Sequence, residues 1–101
     1  MAGSMGIVEL SDRAAADLLD IYVHGVRQFG SKQSDIYLDG LDRCFDLIAE
    51  NPEMGRRADL VGAGFRRHEH QIHVIFYEQT VTGVLILAVL HARQLPDLSD
   101  P

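Results

Sequence analysis

Gly64-Phe65-Arg66-Arg67 leads to His70 and then to His73-Val74-Ile75-Phe76-Tyr77, and Leu85-Ile86-Leu87-Ala88-Val89-Leu90-His91-Ala92-Arg93 follows. Three short apolar, β-branched runs separated by turn residues predict an antiparallel sheet with strands at about 64–69, 71–78 and 84–91. A turn around Thr82-Gly83 joins the last two. In the middle strand Ile72, Val74 and Phe76 alternate with His73, Ile75 and Tyr77, so one face is expected in the core and the other mixed. Val84 to Leu90 is apolar on both faces, as in a central strand covered on both sides. Arginine and histidine gather at the strand ends, which makes this rim the place to look for activity.

Upstream the period changes. Ile7-Val8-Glu9-Leu10 fits a first strand, and Ser11 supplies an N-cap with Asp12 in the first helical turn. Ala14, Leu18, Ile21, Tyr22, Val26 and Phe29 then recur every three or four residues, the stripe of a helix of about five turns. Gly30 is placed to end that helix and Ser31 to cap the next, so the link suits an antiparallel helical hairpin. Tyr37, Leu41, Cys44, Phe45 and Ile48 form the second stripe, opposite a wet face of Asp35, Asp39, Asp42, Arg43, Asp46 and Glu50. Asn51-Pro52 stops the second helix, because proline disfavours helical geometry in the residue before it. Glu53 to Ala63 reads as a connecting loop.

A chain of 101 residues supports one core, expected over residues 5–93. Met1-Ala2-Gly3-Ser4 reads as a cloning remnant, and residues 94–101 as a C-terminal tail. The apolar share of 47% is that of a globular protein, and no apolar run approaches the roughly 20 residues of a membrane helix. With the single Cys44 and no legible leader, a cytoplasmic location is expected. The formal charge of −6 argues against a clamp on nucleic acid. Within it, Arg56, Arg57, Arg66 and Arg67 crowd with His68, His70 and His73 into a local cationic patch. The spacings His68-x-His70 and His70-x-x-His73 lack further ligands, since Glu69 would point to the opposite face, so no metal site is expected.

The order β-α-α-β-β-β, an α+β fold, is filled by residues that resemble the ParE branch of the RelE/ParE toxin superfamily of bacterial type II toxin–antitoxin systems. The matching positions include Leu10-Ser11, Asp17-Leu18, Ile21-Tyr22, Phe29-Gly30, Asn51-Pro52, Gly55-Arg56, Gly64-Phe65-Arg66, His73, Phe76-Tyr77 and Val89-Leu90-His91-Ala92-Arg93. This resemblance implies a helical hairpin packed on a curled antiparallel sheet and a hetero-oligomer with a cognate antitoxin of ParD or another class. It also implies action on DNA gyrase by stabilising its cleaved-DNA complex, without catalysis or cofactor. Target binding is assigned to Arg66, Arg67, His70, His73, Tyr77, His91 and Arg93, and antitoxin binding to Leu18, Tyr22, Val26, Phe29, Tyr37 and Leu41. Two alternatives stay open: a ribosome-dependent mRNA endonuclease of RelE type, in which histidines beside arginines serve as acid or base, and an inactive binding module. Against the nuclease stand the acidic charge, the single lysine Lys32 and the lack of a C-terminal tyrosine.

Overall fold

A computed structural model describes residues 6–95; the expectations for residues 1–4 and for the tail from Pro96 onward lie outside them. The elements run β1 (Ile7–Leu10), α1 (Asp12–Phe29), α2 (Ser31–Glu50), β2 (Arg56–Arg57), β3 (Arg66–His70), β4 (His73–Gln79) and β5 (Gly83–His91), closed by a 3-10 turn at Ala92–Gln94. Ser11 is the cap that the sequence predicts: extended, it accepts from the Ala14 N–H at 2.9 Å. Gly30, not Ser31, caps the second helix. Its φ of 90° suits glycine, its N–H ends α1 on the Val26 carbonyl, and its own carbonyl accepts from Ser34 at 3.1 Å. The buried Ser34 then ties the hairpin by donating Oγ–H to the Tyr22 carbonyl. A Cβ on Gly25 would lie 2.6 Å from Ser34 Oγ, so the two helices approach closely here.

The sheet order is β1-β5-β4-β3-β2. Strands β2 to β5 pair antiparallel, whereas β1 lies parallel to β5 in the register Ile7↔Gly83 to Leu10↔Ile86. The expected loop 53–63 contains β2, two residues whose pairing with Arg67 and Arg66 leaves no periodic trace. The β3–β4 turn sits on Gln71 (φ 53°) and Ile72, so Ile72 is an exposed turn residue and not part of the core alternation.

The hairpin packs on one sheet face around Leu41, Phe45, Ile48, Ile75, Tyr77, Val84, Ile86 and Val89. Ile86 and Val89 share that face although three apart, because Phe76 pairs Ala88 while Tyr77 pairs Ile86, leaving Leu87 as an inserted bulge residue. Val74 and Phe76 pack on the other face with Phe65, Leu90 and Leu95. Beyond the end of β1, α1 serves the open edge of β5: Ser11 Oγ donates to the Leu87 carbonyl, and Asp17 accepts from the Val89 N–H at 2.9 Å.

Candidate functional site

A groove of about 930 Å³ opens between the turn end of the hairpin and the β3–β4 end of the sheet. Ile21, His24 and Phe29 line it from α1, Ile36, Tyr37 and Gly40 from α2, and Ile72, His73, His91 and Arg93 from the sheet side. Phe29 is 70% exposed, and Ile36 and Ile72 are more than half exposed. Apolar side chains left in water around a concavity are the ordinary mark of a surface that another molecule covers.

Three histidines meet at the sheet end of the groove, where His73 and His91 line it and His70 is enclosed behind them. Register places His70 opposite His73 and His73 opposite His91. The His73 and His91 rings are 5.6 Å apart, and the Tyr37 ring stands 5.4 Å from His73 and 5.6 Å from His70. Tyr37 Oη lies 2.6 Å from His73 Nδ1 and 3.3 Å from the His70 carbonyl oxygen. Both contacts are satisfied when His73 Nδ1–H donates to the Tyr37 oxygen and the hydroxyl donates onward to His70, an assignment made from the hydrogen-bond network. Burial, then His91 and His70, drive the His73 pKa down to about 4, and burial pushes the Tyr37 hydroxyl up to about 12. Burial and then His68 also lower His70, whose Nε2 is enclosed without a hydrogen-bond partner and would lie 3.3 Å from a Cβ on Gly40. Burial therefore holds His70 and His73 as neutral imidazoles at neutral pH. His91 also caps the closing turn: its Nδ1 accepts from the Arg93 N–H, and its own N–H donates to Gln94 Oε1.

Arg56, Arg57, Arg66 and Arg67 lie elsewhere. Arg67 and Arg56 both bind Glu69 on the sheet face away from the helices, and Arg67 covers the Phe76 ring at 5.7 Å. Burial alone would raise Glu69, but the two guanidiniums outweigh it and hold its carboxyl below the usual value. Arg57 pairs with Asp59, and Arg66 donates to the Gly55 carbonyl at 2.7 Å and to that of Glu53 at 3.4 Å.

Of the residues assigned to the target, the structure thus brings together His70, His73, His91 and Arg93, while Arg66 and Arg67 stand apart with partners of their own. Tyr77 must be withdrawn, because it is fully buried; its hydroxyl accepts from the Gly55 N–H and donates to the Pro52 carbonyl. Among the residues assigned to the antitoxin, Phe29 and Tyr37 line the groove. Leu41 is sealed in the core and Leu18 packs against it, so Leu41 is also withdrawn. Tyr22 and Val26 lie half-buried outside the groove lining. The sequence reading missed Ile36, an isoleucine on an otherwise acidic helix face, which was the available signal. Among the described residues no three histidine, cysteine or acidic side chains are placed to hold a metal ion.

The family model described as ParE toxin of type II toxin-antitoxin system, parDE, matches residues 8–96. The chain is similar to Toxin ParE1 of Caulobacter vibrioides, 40% identical over 82 residues that cover 81% of this chain and 84% of that protein. Toxin ParE1 of Mycobacterium tuberculosis is 34% identical over 85 residues, covering 83% and 87%. A solved chain of the chromosomal ParDE TA system from P. aeruginosa shares the fold, with a TM-score of 0.72 over 87% of this chain and 97% of that one, at 19% identity.

Proposed function

The chain belongs to the ParE toxin family of type II toxin–antitoxin systems, and from that membership we propose that it binds DNA gyrase, stabilises the cleaved-DNA complex, and is neutralised by a cognate antitoxin seated in the groove. The groove carries this reading. Phe29, Ile36 and Ile72 stand ready for apolar anchors, and Asp20 on its wall, with exposed Asp35 and Asp39 on α2, suits basic residues flanking those anchors. Arg93 and His91 at the groove rim are the target contacts that this hypothesis retains first.

The occupied arginines favour this hypothesis over RNA cleavage. Four of them are engaged by Glu69, Asp59 or loop carbonyls, so binding a scissile phosphate would first have to break those contacts. The deciding experiment runs gyrase supercoiling and cleavage assays beside a ribosome-dependent mRNA cleavage assay. Inhibited supercoiling with accumulated cleaved DNA, reversed by antitoxin, is expected. Cut mRNA would overturn the reading in favour of the nuclease, and inactivity in both assays would leave a binding module.

A further inference from the structure

Among the described residues the histidine cluster has no carboxylate bonded to it. The groups facing it are Tyr37 from α2, His24 and Asp20 from α1 across the groove, His68 from β3 and Arg93 after β5. Two protonated rings at the 5.6 Å spacing of His73 and His91 would repel through a partly desolvated interior, with Arg93 beside them. Helix α2 is anchored unevenly above this point. Leu41, Phe45, Ile48 and Ala49 fix its second half in the core, whereas its first half is tied to α1 by Ser34 and meets the histidines of the sheet through Tyr37.

We infer that the histidine cluster is an acid-sensitive latch: protonation of His70 and His73, packed beneath Tyr37 and beside His91, lifts the Tyr37 end of α2 from the sheet and dismantles the groove. Burial already disfavours the charged form at His73 and His70, as a latch closed at neutral pH requires. The consequence for the partner rests on the groove being the antitoxin seat: acidification then releases the antitoxin. The latch itself belongs to the free chain.

Both levels are tested together. Histidine ring NMR and amide exchange, corrected for intrinsic rates, are followed on the free chain from about pH 7.5 to about pH 5, across the titration range of unperturbed imidazole. Exchange in residues 31–40 should accelerate by about tenfold or more, while residues 41–50 stay protected. Independent ring titrations near the ordinary value with unchanged protection would overturn the latch, as would uniform loss of protection throughout the chain. Antitoxin affinity of the native chain should fall by about tenfold over the same range, the factor carried by one pKa unit. In a His70→Gln/His73→Gln double variant the ratio of the two affinities should shrink below about threefold. If that variant does not fold, the exchange result on the native chain decides alone. Should Ile36→Asp leave antitoxin affinity unchanged at neutral pH, the groove assignment fails, and exchange still decides the latch.

Discussion

Replacing Tyr77 by phenylalanine removes one oxygen from the middle of the fold and leaves the ring volume in place. That oxygen accepts from the Gly55 N–H at 2.9 Å and donates to the Pro52 carbonyl at 2.8 Å, closing the loop between α2 and β2. Gly55 is buried, so its N–H would lose its acceptor away from water. An orphaned buried donor costs about 1–3 kcal/mol, and the lost hydroxyl bond to Pro52 about 1 more. No cavity term enters, so Tyr77→Phe should destabilise by about 2–4 kcal/mol in total. At about 4–8 °C per kcal/mol for a domain of this size, Tm should drop by about 8 °C or more. Far-UV circular dichroism against urea and temperature measures both quantities. Arg56→Ala, which opens an exposed ion pair with Glu69, is the control and should cost less than about 1 kcal/mol. The reasoning is refuted if Tyr77→Phe stays within about 0.5 kcal/mol of the parent, or if it abolishes target binding at unchanged stability, which would return Tyr77 to the surface.

Asp17→Ala should cost about 2 kcal/mol in urea unfolding, because it strips the Val89 N–H of a charged acceptor, whereas Arg13→Ala should cost only a few tenths of a kcal/mol; equal effects would mean that the helix-surface pair, not the edge bond, matters. Gly83→Ala would drive a methyl group into the backbone of Ile7, so β1 should detach and its amides lose exchange protection; an unchanged amide spectrum would refute that close approach. The folded pKa of His73, about 4, lies below its ordinary 6.5, so the folded state binds fewer protons than the unfolded one. Its stabilising share is therefore full above about pH 6.5 and lost as the pH falls towards 4, some 3 kcal/mol in all. Unfolding free energies that stay flat across that window in buffers of constant ionic strength would contradict it.

Much of the architecture is legible locally. The Ser11 cap, the two apolar stripes, the glycine joint at Gly30 and the stop at Asn51-Pro52 each act within a helical turn, and the helices begin and end there. The three later strands are likewise visible from their β-branched runs, within two residues at most ends. The site is less legible, because a strand residue is assigned to a face by counting in twos. In β5 the bulge at Leu87 breaks that count. On β4, Tyr77 has the polar tip of a surface residue, yet its partners Pro52 and Gly55 come from a loop more than twenty positions away.

By itself, then, the amino-acid order determined the two helices, the four longer strands, their succession and the family, since caps, periods and turn chemistry are short-range. Only the tertiary structure decided that β1 runs parallel to β5, that Arg56, Arg57, Arg66 and Arg67 turn to Glu69, Asp59 and loop carbonyls, and that Ile36, Phe29 and Ile72 share one groove. These outcomes depend on contacts such as Asp17 with Val89, 72 positions apart, for which no local pattern encodes the partner.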